Sequence, residues 1–288
     1  MKILPKFQII IILIIFFQVT EQSAALTINF AVPASGEGLK KLLIWTPIIK
    51  QLEVSIGQEV NLIIARDHEI IKKELEQKNY DFAVLDPFWY ENWKNNKICS
   101  LFLKSTLLES TEIRSILIVN KNSIFRSLND LKDSNIALTV PNDSANGFYI
   151  PLALMYESGI DPFSLFNSIV FPETFESILK GVAYGKLDSG FITSDILNNP
   201  KNNPYRNNIR IIIESEPLPP PLIVIRNDFN KELSIAIKKA LILISNKKED
   251  SINQIKSDIS PFEEPISDRF TILGNYLLIL EKNNASPE

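Results

Sequence analysis

One cysteine and one histidine among 288 residues remove several classes of function at the outset. Cys99 alone cannot form an internal disulfide, so the fold must rest on an ordinary apolar core. His68 alone, with no cysteine pair beside it, supplies no zinc site of the usual kind, and neither a metal nor a cofactor is expected. His68 itself is expected on the surface, on a helix away from every candidate residue. The chain also lacks a glycine-rich phosphate loop and a nucleophile elbow, and Ser144 has no base within sequence reach to activate it. Catalysis is therefore not expected. Basic charge is scarce too. The 30 Lys and Arg are outnumbered by 34 Asp and Glu, the net charge is −4, and no basic run stands out. Nucleic acid is excluded as a partner on that ground.

What is present begins with an export signal. Lys2 and Lys6 precede an unbroken apolar run from Ile9 to Phe17, and Ser23-Ala24-Ala25 follows. The run is too short for the roughly 20 residues of a membrane span, and the small residues suit cleavage after Ala25. No cysteine lies there to take a lipid. The expected product is a periplasmic chain of about 260 residues, enough for two modest lobes. With 45% hydrophobic residues, each lobe can have a core.

Strand and helix signals alternate along that chain. Leu26–Val32, Val60–Ala65 and Tyr80–Leu85 read as strands, with helical spacing over Leu39–Leu52 and a helix capped by Asp67 running to about Lys78. The pattern restarts after Arg114–Val119: a strand Ile136–Val140, a helix to Ser158, strands Ser168–Phe171 and Ser189–Thr193, and between them a helix Phe175–Tyr184. Asn198–Asn208 reads as a surface loop. Ile209–Ile213 and Leu222–Arg226 are strands, and Lys231–Ser245 and Phe270–Lys282 are amphipathic helices. The fold class is α/β, two Rossmann-like lobes of parallel sheet joined by two crossing strands near 117–120 and 221–226. Residues 1–25 form the signal, 26–118 with 225–288 lobe 1, including both C-terminal helices, and 119–224 lobe 2. A ligand would lie at the strand ends, between the lobes.

The stretch PNDSANGFYIP, residues 141–151, sits where a strand hands over to a helix. The first N–H groups of a helix lack partners and carry positive partial charge, so an anion is stabilised there. Ser144 and Asn146 can donate, and Gly147 lets a ligand approach the backbone. Plain capping by Asp143 or Ser144 accounts for the same residues without a ligand. Pro151 suits a first turn and not a helix interior.

Four segments taken in order, NYDFAVLDPFWY (79–90), SLNDLKDSNIALT (127–139), NDSANGFYIPLALMYESGIDP (142–162) and GKLDSGFI (185–192), resemble the phosphate/phosphite/phosphonate-binding proteins of ABC importers. The resemblance runs from Phe30 to about Ile244. It implies a type II periplasmic binding fold that closes on a small ligand and works with an ABC permease. It also implies site residues: the turn Ser144-Ala145-Asn146-Gly147 for the anionic head, Trp45, Thr46 and Tyr90 as the wall from the first lobe, Thr174 beside the turn, and Asp195 for an ammonium. Asp188 matches a structural aspartate. Phe88 and Trp89 read as packing.

Two family donors are absent here. Thr174-Phe175-Glu176 stands where a histidine usually follows a serine, and Ala145 replaces a threonine. Each lost hydrogen bond to a charged group removes about 1.5–3 kcal/mol. A monomeric solute-binding protein for import of a small phosphonate-, phosphite- or phosphate-like anion is expected. The alternative is a sensory input protein that passes its ligand state to a membrane-bound signalling partner.

Overall fold

The computed structural model describes residues 27–35, 37–105, 113–141, 144–246, 262–264 and 270–287. The expected signal segment and its cleavage point lie outside them. Strands β1 (Ile28–Pro33), β2 (Val60–Ala65), β3 (Phe82–Leu85) and β4 (Cys99–Ser105) begin one sheet, and β5 (Ser115–Asn120), β6 (Asn135–Ala137), β7 (Ser168–Val170), β8 (Ser189–Thr193) and β9 (Ile209–Glu214) make a second. The chain then returns to the first sheet with β10 (Leu222–Arg226) and β11 (Phe262–Glu263).

The strand orders are β11-β4-β10-β3-β1-β2 and β7-β6-β8-β5-β9. Both sheets are mixed, where a parallel sheet was expected. In the first, β1 runs parallel to β2 and β3, but β10 is antiparallel to β3 and β4 on either side of it. In the second, β6 is parallel to β7 and β8, and β5 is antiparallel to β8 and β9. The cause is the crossing itself: the strand that enters each lobe from the other slots in between two of that lobe's own strands, heading back from the interface. β5 lies wholly in the second sheet from Ser115 onward, so that sheet starts before the expected boundary at 118/119.

The helices follow from local chemistry. α1 (Gly38–Ile56) closes at Gly57, which adopts φ 67 and donates its N–H to the Glu53 carbonyl. The Asp67 carboxylate caps α2 (His68–Glu76), accepting from Ile70 N at 2.9 Å. α3 (Pro87–Trp93) starts with proline at its first position behind an Asp86 cap. α4 (Tyr149–Glu157) carries Pro151 in its first turn, where the ring costs no hydrogen bond. α5 (Pro162–Leu165), α6 (Phe175–Ala183) and the short α7 (Ser194–Asn198) follow, and the expected loop 198–208 instead holds a 3-10 turn at Pro200–Asn202 and the short helix α8 (Asn203–Arg206).

α9 (Lys231–Asn246) packs on α1 over the first sheet, burying Ile237, Leu241 and Ile244 beside Trp45, Ile48, Ile49 and Leu52. α10 (Thr271–Lys282) does not stay on that lobe. It packs on α4 of the second lobe as well as on α3, because Leu273, Tyr276 and Leu280 belong to an apolar seam shared by both lobes. Phe88, Trp89, Leu117, Tyr149 and Ala153 lie in the same seam. No helix among the described residues is long and apolar enough to cross a membrane.

Candidate functional site

The carboxyl ends of β3, β6 and β8 bring three connections toward the space between the lobes: Asp86 with the start of α3, the turn before α4, and Ser194 at the start of α7. The turn is a 3-10 turn over Ala145–Gly147, and Phe148 (φ −135, ψ −70) breaks it from α4. The turn is therefore separate from the first turn of α4. Its shape is fixed from below. Thr139 N donates to Gly147 O at 3.0 Å, and Thr139 Oγ1 donates to Ser144 O at 3.3 Å. A Cβ at Gly147 would sit 2.3 Å from Thr139 Oγ1 and 2.9 Å from Phe175 Cε1. Glycine is required there by that close approach. Phe175 lies against the turn with a ring that cannot donate.

The turn is also tied to the crossings. Ser115 and Ser215 are both buried; Ser115 N donates to Ser215 Oγ at 3.0 Å, and Ser215 N donates to Ser115 O at 2.9 Å. Arg114 Nη1 reaches the Ser215 carbonyl at 2.8 Å, and Leu218 N donates to Ile113 O at 2.8 Å. Ser115 Oγ then donates to the Asn146 carbonyl at 2.8 Å. The paired crossings and the turn are thereby joined in one hydrogen-bonded unit. Tyr276 of α10 stands at the second crossing, with its hydroxyl on the Glu216 amide, and burial pushes its pKa up to about 12.

From the first lobe, the group that meets the turn is Asp86, whose local sequence signals only a helix cap. Its Oδ1 accepts from Phe88 N at 3.0 Å, and the Ala145 N–H also faces the carboxylate across the seam. Asp86 is half-buried, with its carboxylate deep among protein atoms. Burial pushes its pKa up to about 6, and the two amides pull the other way. His68 corrects another expectation. It is 2% exposed, accepts from Asp86 N through Nε2 at 3.3 Å and stacks on Trp89 at 5.6 Å.

The expected aromatic wall is replaced. Trp45 is a core residue, 5.2 Å from the Phe30 ring and 6.0 Å from the Phe262 ring. Tyr90 packs on Phe270 at 6.0 Å with its hydroxyl toward the Leu101 amide. Thr46 donates its Oγ1 to the Leu42 carbonyl at 2.7 Å within α1. Phe88 and Tyr149 instead form the aromatic contact between lobes, stacked at 5.5 Å and 12°, with Trp89 edge-on to the same tyrosine at 5.5 Å. The indole N–H of Trp89 is buried without an acceptor among the described residues.

The remaining residues expected at the site separate. Thr174 caps α6 through Ser177 N at 3.2 Å, next to Phe175. Asp195 is exposed in the first turn of α7. Asp188 is structural, holding Asn135 N at 3.0 Å at the start of β6. Ser144, Ala145, Asn146 and Gly147 stay together as a unit, with Phe175, Asp86 and Tyr149 around them.

Two mixed sheets, the first completed by β10 and β11 after the second is finished, define a two-lobed fold of the type II periplasmic binding class. The chain belongs to the ABC transporter phosphonate periplasmic substrate-binding protein family, whose pattern matches residues 37–268. It is 30% identical over 140 residues to the phosphonates-binding periplasmic protein of Escherichia coli (strain K12), a match covering 46% of this chain and 39% of that protein. Among solved structures, it is similar to the binding protein component of an ABC phosphonate transporter from Pseudomonas aeruginosa, with a TM-score of 0.75 at 18% identity, covering 90% of this chain and 88% of that one. The methylphosphonate complex of PhnD1 from Prochlorococcus marinus superposes with a TM-score of 0.71 at 18% identity, over 90% and 98% of the two chains. A sulfonate binder, SsuA from Xanthomonas axonopodis pv. citri bound to MOPS, gives 0.58 at 11% identity, over 91% and 94%.

Proposed function

We propose that the protein is an exported solute-binding component of an ABC importer. It takes up a small phosphonate-class oxyanion between its lobes and presents the closed form to a permease. It acts as a monomer and a carrier, without catalysis. The observation that carries this reading is the turn Ser144–Gly147, buttressed by Thr139 and bonded through Ser115 to the paired crossings. Backbone amides and the side chains of Ser144 and Asn146 favour an oxyanion there. Contacts from both lobes favour the closed arrangement, which is the state a transporter recognises. The family membership over 37–268 supports the same reading, as does the apolar run Ile9–Phe17 as an export signal.

Calorimetric titration of the mature chain with methylphosphonate, phosphite, phosphate and short sulfonates tests it. A ligand of micromolar affinity, about −8 kcal/mol, is expected. Ser144→Ala combined with Asn146→Ala should weaken it by at least about tenfold. Failure of every compound in the panel would refute the reading.

A further inference from the structure

Asp86 brings a negative charge to the place where the proposed function needs a positive one. Its carboxylate caps α3 through the Phe88 N–H at 3.0 Å and also faces the Ala145 N–H of the opposite lobe. That amide belongs to the turn proposed to hold the ligand's oxyanion. The residue is held from behind as well, because its own N–H donates to His68 Nε2 at 3.3 Å and His68 stacks on Trp89. On either side, Phe88 and Trp89 both meet the Tyr149 ring at 5.5 Å. The carboxylate cannot leave the turn without giving up its cap and disturbing the aromatic contact.

Two oxyanions share such a space only with a proton between them, since burial strips away the water that would screen their repulsion. Either the guest carries an O–H that donates to Asp86, or Asp86 is protonated and donates to the guest. We infer that Asp86 is a specificity-determining residue: it admits an oxyacid that still holds a proton, such as a hydrogen phosphonate, and disfavours a sulfonate, which has none to give. The inference rests on the oxyanion reading of the Ser144–Gly147 turn. The acid chemistry of the two classes separates them. The second ionisation of a phosphate ester lies at about 6, so the related phosphonate group keeps a proton toward neutral pH. A sulfonic acid is fully ionised throughout. A hydrogen phosphonate also presents bare oxygens, and Trp89 in the same helix is a buried donor with no acceptor among the described residues.

The titratable side chains held against Asp86 or its neighbours are His68 on α2, which bonds its N–H, and Tyr149 on α4, which packs on Phe88 and Trp89; α3 itself carries Tyr90 and Glu91, the last paired with Lys94. No charged side chain contributes to the shift of Asp86 itself, which comes from burial against the two amides. The proton required by a sulfonate is therefore assigned to Asp86.

Calorimetry of the full mature chain with methylphosphonate and with methanesulfonate, at several points between about pH 5 and pH 8, tests this. Methylphosphonate should bind at least about tenfold more tightly at neutral pH, and methanesulfonate affinity should fall about tenfold per unit above pH 6. Asp86→Asn keeps an acceptor for the Phe88 N–H; it should bind methanesulfonate without that slope and narrow the preference. A preference and slope that persist in Asp86→Asn would overturn the inference, assign the proton to another group such as His68, and leave the oxyanion reading standing. If the variant does not fold, a flat sulfonate profile in the unaltered protein overturns the inference by itself. If neither compound binds either protein, the oxyanion reading fails and the inference falls with it.

Discussion

Replacing Asp86 with asparagine should make the protein more stable at neutral pH and leave its stability almost unchanged in mild acid. The Asp86 carboxyl rises from 3.8 to about 6 on folding because burial penalises its ionised form. A carboxyl whose pKa is raised in the fold holds its proton more tightly folded than unfolded. Stability is then highest below the unfolded value, declines as pH climbs from about 4 to about 6, and stays low above that. At 1.36 kcal/mol per unit, the penalty at neutral pH is about 3 kcal/mol. Asparagine removes the charge and keeps the cap, since its side-chain oxygen can still accept from Phe88 N, and Asn and Asp are near-equal caps. The expected gain is up to about 3 kcal/mol at pH 7.5 and near zero at pH 4. Urea unfolding of the two proteins at both pH values, followed by fluorescence of the buried tryptophans, measures it. A variant that is less stable than the parent at pH 7.5 and equal to it at pH 4 would show that the ionised carboxylate is held favourably, and the electrostatic reasoning would be wrong.

Gly147→Ala places a Cβ 2.3 Å from Thr139 Oγ1 and 2.5 Å from its Cγ2; a loss of about 1–3 kcal/mol in thermal unfolding is expected, with weaker methylphosphonate binding. Wild-type stability and affinity in that variant would contradict the turn geometry. Phe88→Ala removes a fully buried ring from the seam between lobes, so a destabilisation of about 3–5 kcal/mol is expected, with a larger radius of gyration in X-ray scattering. An unchanged radius would mean that the seam does not hold the lobes together. The Cys99 thiol is buried and its pKa is pushed up to about 12; a thiol reagent at pH 8 should label it only after denaturant is added. Labelling of the native protein at the unfolded rate would refute this burial.

Much of the first lobe is legible in the sequence because its elements are short-range objects. β1 and β2 are β-branched runs, and Asp67 lies three residues before the amide it caps. The error at Trp45 had a remedy in the sequence itself: Trp45, Ile48, Ile49 and Leu52 fall at helical spacing on one face, and that face is the core. His68 and Asp86 had none. They are 18 residues apart, and their hydrogen bond forms only because the start of α2 lies beside the end of β3. The Asp-Pro at 86–87 advertises a helix cap, and nothing local says that the same carboxylate will face Ala145 from the other lobe. The turn at 144–147 was legible because Ser, Asn and Gly cluster where a strand gives way to a helix. Its 3-10 form was not, since Thr139 and Ser115 impose it from outside. The mixed sheets were hidden for the same reason: strand direction inside β10 and β5 is set by where the chain returns, not by residue pattern.

The return of β10 to the first sheet has a consequence for how the molecule can be made. A ribosome that has released only the first 120 residues has produced β1 to β4 with a gap in the middle, because the strand between β3 and β4 is β10. The opening lobe is finished last, after its neighbour. A cut at the lobe boundary would leave the first sheet without its middle strand, whereas β5 to β9 are contiguous, and the opening lobe stays unfinished until nearly four-fifths of the chain has appeared.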